Sequence, residues 1–182
     1  MILVMLPAHV FITTAENYLT LREPHRQAHI ARMVRLRAQG LVIGGGPTPD
    51  GRTAEVFYRA SEPGHLERLV EDDPYYQHRV WTAYTVRTFS TFVEPQSQPP
   101  VVLDGSRHVT ILEGPADDPD KAQRALIELR GAGRLAFGGL FGDGRTLAVV
   151  ASDDARTAID WLSETGLWSA GHLTARPLLY VL

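Results

Sequence analysis

The chain contains no cysteine. Disulfides, thiolate zinc sites and a cysteine nucleophile are therefore excluded. It has no excess of positive charge. The net charge is −3 over 182 residues, so no broad basic field exists to hold nucleic acid or an acidic membrane. No apolar run approaches the ~20 residues of a membrane span. The apolar start, MILVMLPAHVFITTAENY, lacks the basic beginning and long apolar centre of a signal peptide. It reads as an amino-terminal strand, and a soluble, cytoplasmic protein is expected. What remains is an ordinary globular mixture, 44% hydrophobic and 21% charged. The length suits one ordinary domain or two small ones.

Two is the better count. The stretch 94–106, EPQSQPPVVLDGS, places three prolines with Gln and Ser between ordered-looking segments and reads as a linker. It divides the chain into 1–93 and 107–182. Each half shows the same order of elements. In the first, Ile2–Leu6 is a short apolar run. Glu23–Ala38 has helical spacing at Ile30, Met33 and Val34, continued by the stem of Arg37, with Gly40 placed to end the helix. Leu41–Ile43 and Thr53–Tyr58 flank the turn Pro49-Asp50-Gly51. Ser61 is expected to cap a second helix with Pro63 in its first turn. Val80–Phe92 closes the unit as a strand. The second half gives Val109–Leu112, a helix at Pro119–Arg130 capped by Asp118, strands at Leu135–Phe137 and Thr146–Ala151, a helix at Asp153–Ser163, and a last strand at Leu173–Val181.

The correspondence extends to residues. A shift of 93 lays Leu36, Arg37, Gly40, Gly45, Gly46 and Asp50 through Thr53 on identical residues of the second half, with Val56 on Val149. That is 10 identities in the 21 positions 36–56 without a gap, where unrelated sequences would give roughly one or two. An Asp-Gly turn alone would not keep the preceding helix end and both flanks in register. Internal duplication is the expectation. The order β-α-β-β-α-β is the ferredoxin-like plan, an α+β fold whose antiparallel sheet has helices on one face. The other face needs a cover. A second copy of the unit would supply it, so the two halves are expected to pair within the chain.

Several residues of the first half carry a resemblance. Arg26-Gln27-Ala28-His29 opens a helix, Gly46-Pro47 follows the next strand, and Asp72-Asp73-Pro74-Tyr75 follows the second helix. Together they resemble the YCII-related family over residues 1–93. The resemblance implies ferredoxin-like units paired as a dimeric α+β barrel. It also implies an active-site pair made of the helix His and the Asp of the Asp-Pro segment, here His29 and Asp73. One characterised relative is a dehydrochlorinase of aromatic breakdown, and other dimeric α+β barrels include isomerases and cofactor-free monooxygenases. Over 107–182 only the topology and the turn region match. Ala122 stands opposite His29, Gly166 opposite Asp73, and Gly-Pro becomes Gly139-Leu140. The second copy is therefore expected to be a structural partner without the pair.

From the residues themselves, His29 lies on the 29, 33, 36 line of its helix, at the edge of the apolar stripe. A lone His there is usually a packed, hydrogen-bonded imidazole; the family motif gives it a general acid or base role. Asp73 is the implied orienter, which would fix one ring tautomer and leave the other nitrogen for substrate. Asp-Asp-Pro is also an ordinary way to leave a helix. Arg26, Gly46, Pro47 and Tyr75 are the candidate substrate-binding residues, and Arg22 and Tyr76 either join them or form solvated surface. Gly44-Gly45-Gly46 is not a phosphate loop, because no Lys-Ser/Thr ending and no helix follow it. A bulge or tight loop suits it better. His25 and His29 have the i, i+4 spacing of metal ligands, but no third ligand is evident and no metal is expected. His9, His65, His78, His108 and His172 follow no ligand pattern. Two functions fit: a cofactor-independent lyase or isomerase acting on a small cyclic or aromatic molecule, or a non-catalytic module that binds a small ligand or another subunit.

Overall fold

A computed structural model describes residues 5–182. The chain forms two compact units. The first comprises the residues up to Arg87 with Pro99–Asp104 and Leu179–Leu182, and the second comprises Thr88–Gln98 and Gly105–Leu178. No helix among the described residues is long and apolar enough to cross a membrane.

The first unit contains β1 (Leu6–Thr14), α1 (Tyr18–Leu21), α2 (Glu23–Ala38), β2 (Val42–Pro47), β3 (Thr53–Ala60), α3 (Pro63–Glu71), α4 (Pro74–Gln77) and the first part of β4 (Trp81–Val93). Its strands lie in the order β2-β3-β1-β4, the antiparallel arrangement of a ferredoxin-like unit. The strand expected at Ile2–Leu6 falls mostly on residues 1–4, outside the described residues. The described strand begins at Leu6 and runs on through Thr14. Its alternation is plain. Ala8, Val10 and Ile12 point to the helices and pack with Met33 and Leu36 of α2, Leu66, Leu69 and Val70 of α3, and Val56 and Tyr58 of β3. Burial of each large apolar side chain in this layer contributes about 1.5–3 kcal/mol.

The second unit repeats the order with β5 (His108–Pro115), α5 (Pro119–Gly131), β6 (Leu135–Phe141), β7 (Arg145–Val150), α6 (Ala155–Ser163) and β8 (Thr174–Leu179). Its strand order is β6-β7-β5-β8, and the end of β4, Phe89–Val93, pairs with β6. Details recur 93 residues apart. Helix α2 ends in a Schellman turn, with Gly40 at φ +75°, Leu41 N–H on Leu36 O and Gly40 N–H on Arg37 O. Helix α5 ends the same way, with Gly133 at φ +73°, Arg134 N–H on Leu129 O and Gly133 N–H on Arg130 O. The bulge falls between Val42 and Gly44 in β2, and between Leu135 and Phe137 in β6. It thus sits just before the paired glycines rather than on them.

Three local expectations are corrected. Pro63 occupies the first helical position of α3, which moves the cap to Glu62; Ser61 instead places its hydroxyl 3.1 Å from His65 Nδ1. Val34 is exposed, and the buried line of α2 is Met33, Leu36 and Arg37. Helix α6 begins at Ala155 rather than at the expected Asp153, with Asp154 as its cap accepting from Thr157 N–H.

Candidate active site

His29 and Asp73, 44 residues apart, meet in the first unit. Nδ1 of His29 is 2.7 Å from Oδ1 of Asp73. Each is delivered by a different local device. His29 lies on the buried side of α2, one turn before Met33. Asp73 is the N-cap of α4, where its Oδ1 also accepts the Tyr75 N–H at 2.9 Å. Pro74 at the first helical position needs no N–H partner. The Asp-Pro-Tyr segment is thus a helix start that turns a carboxylate toward α2. Asp73 is fully buried, whereas the His29 side chain is 16% exposed. Arg32, one turn on from His29, extends Nη1 to 3.4 Å from Asp73 Oδ2 and donates to Leu69 O at 2.9 Å.

The imidazole is held on its faces as well. It stacks on Tyr75 at 3.8 Å with 10° between planes, and meets the edge of Trp81 at 5.2 Å. Burial, with Tyr18 nearby, pushes the Tyr75 phenol far above its ordinary range, so it stays a neutral hydroxyl. A carboxylate bound at Nδ1 fixes the neutral ring as the Nδ1–H tautomer. Nε2 is then left as the acceptor, and the ring lines a cleft with about 460 Å3 of empty space, its open mouth included. The rest of the wall is largely apolar: Tyr18, Ile30 and Met33 from the helical side, Gly45, Gly46, Pro47, Ala54 and Val56 from β2 and β3, then Tyr75, Trp81, Leu103, Val181 and Leu182.

Of the residues expected to bind substrate, Gly46, Pro47 and Tyr75 are on this wall. Arg26 is not; its Nη2 lies 3.5 Å from the carbonyl oxygen of Leu103, itself a wall residue. Arg22 covers the Tyr18 ring with its guanidinium at 5.0 Å, and Tyr76 packs against Tyr84. His25 stacks on His78 at 3.8 Å, and no cluster of three His, Cys, Asp or Glu that could hold a metal is found among the described residues.

Sequence reasoning missed Arg32, though its i+3 spacing from His29 put it on the same helical face. It also passed over a buried polar group on the sheet face opposite the helices. His9 Nε2 is 2.6 Å from Glu55 Oε2, and Arg87 Nη2 is 3.2 Å from His9 Nδ1. The period of two carried the signal, since His9 alternates with Ala8 and Val10, and Glu55 with Ala54 and Val56. In the second unit Ala122 is buried in the core, and Gly166 turns the chain at φ +74°. Trp168, 93 residues after Tyr75, is buried and donates to Thr146 at 3.0 Å. His108 and His172 are exposed.

Comparisons with known proteins bear on family and fold. Residues 7–90 match the YCII-related domain. No curated protein matches the chain by sequence. Among solved structures, a candidate monooxygenase from Lactobacillus acidophilus NCFM is similar with a TM-score of 0.64 at 14% identity, covering 98% of this chain and 94% of that one. A candidate monooxygenase from Fusobacterium nucleatum subsp. nucleatum gives 0.58 at 7%, covering 100% and 94%. A candidate chlorite dismutase gives 0.52 at 10%, covering 98% and 96%. At such identities the likeness is one of fold. Residues 7–90 thus match the YCII-related domain, and the chain has an α+β fold similar to that of these solved structures.

Proposed function

We propose that the His29 cleft is a small-molecule site for cofactor-independent acid–base chemistry, of the lyase or isomerase type, on a small cyclic or aromatic compound. The observation that carries this reading is the 2.7 Å contact between His29 Nδ1 and a fully buried Asp73 at the wall of a largely apolar cleft. Nε2 of His29 is the base. It takes a proton from a carbon or hydroxyl acidified by a neighbouring carbonyl. In an isomerisation the imidazolium returns that proton elsewhere on the ligand. In an elimination the C–H electron pair forms the new C=C bond, and the leaving group departs with the electrons of its own bond. Asp73 offsets the positive charge the ring acquires and holds its tautomer. Stacking on Tyr75 holds the ring plane, and the apolar wall limits water. Ala122 and Gly166 stand where His29 and Asp73 would recur. The second unit is accordingly read as a duplicated copy that has kept its fold and lost this chemistry.

A second reading is favoured by one observation. Asp73 caps α4 and receives Arg32, which gives it structural work independent of catalysis. A non-catalytic ligand-binding site would use the same cleft. The test of the site itself is nitrogen-15 NMR of the histidine rings. His29 is expected as the Nδ1–H tautomer, with its Nε2 resonance moving as small phenols or lactones are added. An Nε2–H tautomer, or no movement with any such compound, would remove the basis for a site at His29.

A further inference from the structure

The cleft is not completed by the residues that match the YCII-related domain. Leu103, Val181 and Leu182 are on its wall but lie outside residues 7–90. They come from two short segments, 99–104 and 179–182, that pack into the first unit although the second half of the sequence lies between them. The segments are tied to each other and to β2. Val102 N–H donates to Val181 O at 2.9 Å, and Val181 and Leu182 N–H both reach Gly45 O, at 3.0 and 3.2 Å. Arg37 donates to Pro99 O. The strand is cut away to receive them. A Cβ on Gly46 would overlap Leu179 O, and one on Gly44 would overlap the Tyr180 hydroxyl. Gly46 thus serves close backbone approach, and Gly44 leaves room for the Tyr180 ring.

We propose that segments 99–104 and 179–182 form the size-limiting wall of the His29 cleft, with Leu103, Val181 and Leu182 setting how large a molecule reaches the imidazole. The inference rests on the reading of that cleft as a ligand site. It adds a chemical class, because this wall contributes only apolar side chains. The part of a ligand that lies against it is a ring edge, a halogen or a short alkyl group, while a polar or acidic edge faces His29. It also gives the second half of the chain a role in the site, since residues 179–182 are carried in at the end of β8.

The test needs no knowledge of the substrate. Intact protein is treated with 2-bromoacetamide and with the bulkier phenacyl bromide. In both, an imidazole nitrogen displaces bromide and forms a C–N bond, and peptide mass spectrometry reads the modification of His29, with exposed His108 as the internal control. Wild type is expected to favour the small reagent at His29. Truncation of a wall side chain leaves space behind it, so Leu182→Ala and Leu103→Ala should raise the rate with phenacyl bromide about fivefold or more, with little change for bromoacetamide or at His108. Leu103 is 45% exposed, so Leu103→Ala keeps the test usable if Leu182→Ala does not fold. Gly46→Ala, which forces Leu179 away, should act in the same direction. An unchanged ratio of the two reagents in the folded variants, or no reaction at His29 in any of them, overturns the proposal. The reading of the cleft as a ligand site fails separately, if the ratio changes as expected while no phenol or lactone moves the His29 ring signals.

Discussion

Asp73 places its carboxyl group where water does not reach, and three donors surround it: the Tyr75 N–H, His29 Nδ1 and Arg32 Nη1. Two of these are structural in character and one faces the cleft, so substitutions separate the roles. Asp73→Asn keeps an acceptor for the cap and removes the charge. Asp73→Ala removes the cap, worth about 1 kcal/mol, and leaves buried donors unmet at about 1–3 kcal/mol more. Thermal melts should therefore show Asp73→Ala below Asp73→Asn, with Asn itself below wild type, because its amide N–H2 meets Arg32 Nη1 as donor against donor. Turnover, once a substrate is in hand, should fall by about 10²–10⁴-fold in both, as it should in His29→Ala. Equal activity of Asp73→Asn and wild type would leave Asp73 with its structural work alone. At this scale the sequence was only partly legible. No local spacing joins His29 to Asp73, and they became a pair through family resemblance. Arg26 looked as accessible to a ligand as Tyr75, and only the fold separates them, placing Tyr75 on the wall and Arg26 against Leu103 O.

Helix ends and turns were the most readable elements, because their chemistry is local. Gly40 and Gly133 at φ +75° and +73° close their helices as the sequence implied, and the Asp-Gly turns form in both units. The short α4 was hidden, since four residues have no periodicity to detect. The start of α3 was misread because Ser61 is a good cap by type, but Pro63 at the first helical position set the boundary one residue later. The paired turns allow an internal control. Gly51 and Gly144 both have positive φ, +68° and +81°, which costs an L-residue about 1–2 kcal/mol. A Cβ at Gly51 would also sit 2.9 Å from Tyr18 Cδ1, while at Gly144 it meets nothing nearer than Pro119 Cγ at 3.8 Å. Gly51→Ala should thus lower the melting temperature more than Gly144→Ala, at about 2–4 °C per kcal/mol of added cost. Equal losses would mean that Tyr18 yields without strain.

For the molecule as a whole, the repeated βαββαβ order was legible because apolar runs, turn residues and a 93-residue register all agreed. The interlocking of distant segments was not. Residues 99–104 looked like free linker, and nothing local tied 179–182 to the glycines of β2. The buried phenols set a global pH response. Burial raises the pKa of Tyr58 and Tyr75 in the folded protein, above the roughly pH 10 of an unfolded chain. The folded state then keeps protons that the unfolded state sheds. Their contribution to stability is full below about pH 10 and is lost progressively as pH rises from there toward the folded values. Urea melts at about pH 9, 10 and 11 should show stability falling across the upper step. A flat profile would refute that assignment. The central claim is that His29 moves protons on a bound ligand, and solvent deuterium exchange reads that step without knowledge of the net reaction. Intact protein in D2O is mixed with a panel of small cyclic ketones, lactones and hydroxyquinones, and loss of each carbon-bound proton is followed by NMR. The account predicts at least one compound whose exchange is accelerated by wild type about 10²-fold or more over His29→Ala. Exchange rates that are the same for wild type and His29→Ala across the panel would contradict it.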